Sequence, residues 1–151
     1  VTYPDQRVQR LLDEETAPVQ VNVQEEKELL ERYHVVWTPT LVLLDAEAEP
    51  HQKLVPASLS PDDFLPVVRT AIGRAHLSMK RPDDAIRAFD AVLSRHPGAL
   101  AAPEALYWRG VAQHMKKDDD AMKRSWGELS ERYPDSFWGR AITFVREKEQ
   151  R

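Results

Sequence analysis

The spacing of apolar residues changes character along the first sixty positions. Val8, Leu11 and Leu12 recur at helical spacing, and Pro4 suits a first turn because its missing N–H costs nothing there; a helix is predicted over 4–16. Pro18 closes it. Val19, Val21 and Val23 then alternate with Gln20 and Asn22, a period of two that predicts a strand with one buried face. Helical spacing returns over 24–33, with Leu29, Leu30 and Tyr33 on one stripe opposite Glu25, Glu26 and Lys27. A strand is predicted over 40–44, solidly apolar from Leu41 and so of the kind covered on both faces. A turn over 45–50 leads to a short edge strand over 51–55, bounded by Pro50 and Pro56.

From about residue 60 the pattern is helical throughout. Ser60-Pro61-Asp62-Asp63, Pro82-Asp83-Asp84, Asp118-Asp119-Asp120 and Pro134-Asp135 mark helix starts, where carboxylates cap free N–H groups and meet the positive end of the helix dipole. These acidic groups read as caps, not as catalytic or metal-binding carboxylates. A shift of 37 residues superimposes Gly73 on Gly110, Ala75 on Ala112, Phe89 on Trp126, Val92 on Leu129, Arg95 on Arg132 and Pro97 on Pro134. Small residues where two helices cross, a large aromatic on the second helix and a terminating proline describe one helical hairpin used twice. One such hairpin cannot bury its own apolar face, so the copies must stack.

Composition narrows the function. With 42% hydrophobic and 30% charged residues among 151, the chain belongs to the folding class. Its longest apolar run, Leu41 to Leu44, is far below the roughly 20 residues of a membrane-spanning helix, so no membrane partner is expected. The absence of cysteine removes disulfides, cysteine nucleophiles and thiolate metal sites. Net charge is −4, and the basic residues are dispersed among acidic ones, so no nucleic-acid partner is expected. Residues 1–66 hold 5 Lys and Arg against 13 Asp and Glu, while residues 67–151 hold 16 against 12, which suggests two units. The five histidines lack the i, i+4 metal-binding spacing, no serine sits in a nucleophile elbow, and the five glycines form no phosphate loop. No catalytic residue, metal or cofactor is assigned.

Residues 67–134 resemble two tetratricopeptide repeats, carried in the first by Gly73, Ala85, Phe89 and Pro97 and in the second by Gly110, Trp126 and Pro134. Met122 stands where the second repeat should have its small alanine, Ala121 lies one place early, and the 37-residue period exceeds the usual length of about 34. Residues 136–148 resemble the solvating helix that closes such arrays, with Phe137, Ile142 and Val145 as its inner face. Residues 1 to about 72 resemble the later part of a thioredoxin-like domain, carried by Val35-Val36-Trp37-Thr38-Pro39-Thr40 and the strand that follows. That resemblance implies a cis Thr38–Pro39 bond and antiparallel directions for the strands at 19–23 and 40–44, with one strand missing between them. It also places the family's first strands and its Cys-x-x-Cys helix upstream of Val1. Ala48 and Pro56 occupy places where the family usually has glycine.

The expected architecture is therefore a partial α/β thioredoxin-like unit over 1–66, followed over 67–151 by an all-α tetratricopeptide-like array with a capping helix. The expected function is a protein-binding module without redox activity in this chain, by resemblance part of a thiol–disulfide oxidoreductase. A scaffold or adaptor whose thioredoxin-like part is structural stays equally open; a Cys-x-x-Cys within about twenty residues upstream, after an apolar strand, would support the oxidoreductase and its absence would favour the scaffold. Candidate contacts to a protein or peptide client are Trp37, Thr38 and Pro39 in the first unit, and Arg74, Tyr107 and His114 in the second. Thr38-Pro39 either offers backbone hydrogen bonds to an extended partner or only shapes a turn. Trp37 is expected to be buried. Thr70, Arg74, Leu77, Tyr107, Val111 and His114 are expected to face a groove, either for a client or as interdomain packing. A first unit lacking a strand exposes edges, so self-association through it is expected unless a longer chain fills the gap. No basic-then-apolar signal segment is visible in the residues given, what precedes Val1 cannot be judged from them, and a cytoplasmic location is the expectation.

Overall fold

The structure is a computed structural model describing residues 5–56 and 59–142. Contacts divide the chain into two compact units, Val1–Val68 and Arg69–Arg151.

The first unit begins with α1, Gln6–Glu15. The Asp5 carboxylate caps it, accepting from the Arg7 N–H at 2.8 Å. Val8 and Leu11 form its buried face, and the Thr16 hydroxyl donates to the Leu12 carbonyl at 2.6 Å where it ends. The expected strand over 19–23 does not form. Among the described residues, 17–21 make no backbone hydrogen bond, and strand formation needs a neighbour's ladder. The helix expected over 24–33 shortens to α2, Lys27–Arg32. A turn claims its first residues: the Asn22 carbonyl accepts from Glu25 and Glu26, and its side-chain oxygen accepts from Gln24.

β1, Leu41–Leu44, pairs antiparallel with β2, Pro50–Leu54, in a two-stranded sheet from Leu41 opposite Leu54 to Leu44 opposite Pro50. β1 is half-buried and Leu44 is 42% exposed, so the expected cover on both faces is absent. Thr40 is kept out of the strand because its hydroxyl donates to the Trp37 carbonyl at 2.6 Å. The Thr38–Pro39 peptide bond is cis, as the sequence resemblance implies. Asp45 organises the hairpin turn, its carboxylate accepting from the Glu47 and Glu49 N–H groups and bonding His51 Nε2 at 2.8 Å. The hairpin is the only sheet among the described residues of this unit, which therefore does not display the multi-stranded sheet of a thioredoxin-like domain.

α3, Pro61–Ser78, crosses the boundary between units. Ser60 starts it: its hydroxyl accepts from the Asp63 N–H and donates to the Asp63 carboxylate at 2.7 Å. In the second unit α3 is followed by α4, Pro82–Arg95; α5, Ala102–Met115; and α6, Asp119–Arg132. Residues 137–142 are again helical. α4 packs on α5 and α5 on α6. Leu77, Ala85, Phe89, Val92, Ala105 and Ala112 make one buried cluster; Leu106, Leu129 and Ile142 make another.

The repeat is visible in the backbone itself. Lys80 and Lys117, 37 residues apart, both hold positive φ, 58° and 64°. The N–H that follows each bonds back across the helix end, Arg81 to the His76 carbonyl and Asp118 to the Gln113 carbonyl. His96 and Tyr133, also 37 apart, share φ −135° and ψ 51° at the ends of α4 and α6. The helix crossings agree. A Cβ on Gly73 would lie 2.5 Å from the Phe89 ring, and one on Gly110 would lie 2.3 Å from Trp126 Nε1. At the irregular position of the second repeat, Ala121 is buried and Met122 only half-buried, so the buried alanine sits one residue early.

The closing helix departs from expectation. Phe137 is 68% exposed, and Trp138 with Ile142 supplies the inner face, since four residues of separation put both on one stripe. Val145 and the end at Lys148 lie outside the described residues.

Candidate protein-binding surfaces

In the first unit the loop between α2 and β1 carries Trp37, Thr38 and Pro39. Its approach is set by His34, which ends α2 with φ 49° and allows the Val35 N–H to reach the Leu30 carbonyl at 2.8 Å. Lys53 on β2 donates to the carbonyls of Tyr33 and His34, fixing the loop to the hairpin. Trp37 is 67% exposed, not buried: the chain bends between it and the strand, and its carbonyl is occupied by Thr40. Thr38 and Pro39 are also exposed. Trp37 and Thr38 line an open hollow of about 320 Å³ with Val23, Leu30, Val35 and Val36. The structure thus brings Trp37 and Thr38 together at one apolar concavity, while Pro39 is exposed and not part of its lining.

In the second unit the α3–α5 face holds the other three. Arg74 Nη1 lies 3.1 Å from Glu104 Oε1, and its guanidinium stands 5.2 Å from the Trp108 ring centroid. The Trp108 ring lies 5.9 Å from Trp138, which meets Phe137 at 5.2 Å. A ladder of one cation and three aromatic rings therefore runs from Arg74 to exposed Phe137. Tyr107 joins it at Trp138, 4.7 Å away, and stacks 5.9 Å from Trp126, whose Nε1 donates to the Tyr107 carbonyl. His114 is exposed and bonds the Asp119 carboxylate at 2.7 Å. Thr70 and Leu77 are buried and do not present themselves on this face; α3 is packed on most sides, with Val68, Ala71, Ile72 and Ala75 also buried.

Two features escaped the sequence reading. Trp108 was not singled out, yet it sits between Arg74 and Trp138, and its Nε1 is buried without a hydrogen-bond partner among the described residues. Arg109 joins three helices: Nε donates to Ser125 Oγ at 3.0 Å, Nη1 to Asp90 at 3.1 Å and Nη2 to Glu128 at 2.9 Å. The buried Ser125 hydroxyl donates on to Gln113 Oε1 at 2.6 Å. The signal was present, because the 37-residue shift places Arg109 on buried Ile72, an apolar-to-charged change inside a repeat.

Among the described residues no group of His, Asp and Glu is placed to hold a metal ion, and no helix is long and apolar enough to cross a membrane. The tetratricopeptide repeat family's sequence model matches residues 70–121. Neither the curated proteins nor the solved structures contain a match to the chain. The helical hairpins and this match support a protein-binding module in the second unit.

Proposed function

We propose that the chain binds a protein partner through the α3–α5 face of its helical array, using Arg74, Tyr107 and His114 beside the Trp108–Trp138–Phe137 ladder. The observation that carries this reading is the 37-residue recurrence of both hairpins, in backbone and in helix crossings, the first hairpin and the start of the second lying within residues 70–121 that the tetratricopeptide family matches. Aromatic faces next to a guanidinium suit an extended or helical peptide, because rigid rings give contact area at low entropic cost. Peptides selected from a random displayed library on the full chain test it by amide-shift mapping. Selected peptides should shift Arg74, Tyr107, Val111 and His114 while leaving Arg87 on α4 unmoved. Enriched peptides that shift none of these four would refute the reading.

A second reading concerns residues 1–66. Trp37-Thr38-Pro39-Thr40 leading into the β1–β2 hairpin supports a partial thioredoxin-like unit. On this reading the unit is redox-inactive here and belongs either to a thiol–disulfide oxidoreductase or to a scaffold that uses the fold structurally. Disulfide exchange needs an attacking thiolate, and the chain has no cysteine. Insulin reduction in the presence of dithiothreitol should therefore proceed at the rate of the buffer blank; a faster rate would contradict the argument.

A further inference from the structure

The first unit holds a segment whose sequence is that of a strand and whose backbone is unpaired up to Val21, before the turn at Asn22. Val19, Val21 and Val23 alternate with polar residues, and residues 17–21 make no backbone hydrogen bond among the described residues. Its apolar side chains are open, Val19 at 82% exposure, and Val23 reaches the hollow shared with Val36, itself 93% exposed, and Trp37. Donors and acceptors without a ladder beside an apolar concavity meet the requirements for strand addition: main-chain bonds supply affinity, and alternate side chains find contacts.

The charge around this segment selects the occupant. Residues 10–32 carry seven carboxylates, Asp13, Glu14 and Glu15 before the valines and Glu25, Glu26, Glu28 and Glu31 after them, against three bases, Arg10, Lys27 and Arg32. All seven are exposed. Two copies of the segment would bring these acidic flanks together, and like charges oppose that pairing. We propose that residues 18–21, with the hollow at Val23, Val36 and Trp37, dock an extended peptide of alternating apolar residues flanked by Lys or Arg, which adds to the unit as a strand. This site lies outside the α3–α5 face and does not depend on the array's binding activity.

The probe is the capped peptide Lys-Val-Thr-Val-Thr-Val-Lys, titrated into the full chain with amide shifts and hydrogen exchange read together. Saturable shifts at Val19 to Val23 and Val36, with slowed exchange at Val19 and Val21, are expected. The twin with Glu at both ends should bind about tenfold or more weakly, the gap narrowing as salt screens the flanks. Val21→Pro should abolish the slowed exchange by removing a ladder donor, and Val36→Ser should weaken binding through the hollow alone. Equal affinity for the two peptides, or no shift in this segment at millimolar peptide, would overturn the proposal. So would concentration-dependent shifts at the same residues without peptide, accompanied by dimerisation in sedimentation, because a second copy would then be the occupant.

Discussion

Ala48 and Asp45 show how much a single hairpin asks of its residues. Ala48 holds φ 63° in the β1–β2 turn, where a Cβ is crowded and glycine is not. Relief of that crowding exceeds the extra entropy glycine loses on folding, so Ala48→Gly should stabilise the first unit by up to about 1 kcal/mol in urea unfolding. Asp45 is held below the usual carboxylate range, first by its bond to His51 and then by the Glu49 N–H. Because its folded pKa is depressed, its contribution is present above the unfolded value of about 3.9 and is lost as pH falls through the lower folded value. Asp45→Asn should therefore flatten the acid limb of hairpin stability, followed by the pH dependence of amide exchange at Glu47 and Glu49. Gly73 and Gly110 demand the opposite of Ala48, since they leave no room for a side chain against Phe89 and Trp126. Gly110→Ala should cost about 1–3 kcal/mol through overpacking.

At the scale of elements, legibility in the sequence follows where the contacts are. α4, α5 and α6 were readable because each hairpin's crossing glycine, aromatic and terminating proline lie within one repeat and appear again 37 residues later, although the Asp118 cap of α6 has no side-chain counterpart at Arg81. The segment at 19–23 was misread because alternation reports only a tendency to pair, and no partner strand meets it among the described residues. Trp37 and Phe137 were misassigned for a related reason: burial there depends on which way a loop or helix start turns, not on local spacing. Of the proposed contacts, Arg74, Tyr107 and His114 come from the repeat register, while the place of Trp108 between Arg74 and Trp138 needed the third dimension. Arg109 is the strongest element-scale test. Arg109→Ala removes charge-assisted bonds to α4 and α6 and should cost about 1.5–3 kcal/mol, measured by chemical denaturation followed by helical circular dichroism.

Across the whole molecule, the two units differ in composition and in the way each is held together. The acidic first unit rests on α1, a short helix and one hairpin; its exposed valines and Trp37 leave apolar surface available. The second is a repeat array whose buried clusters pass from α3 through α4 and α5 to Ile142, so stability accumulates from one hairpin to the next. Arg74, His114 and the Trp108–Trp138–Phe137 ladder make up the face proposed above for a protein partner. Calorimetric titration of a library-selected peptide into the full chain, its Arg74→Ala variant and its Arg87→Ala variant tests the central claim directly. Binding about tenfold weaker for Arg74→Ala and unchanged for Arg87→Ala is the predicted result; equal affinity for all three proteins would contradict the account.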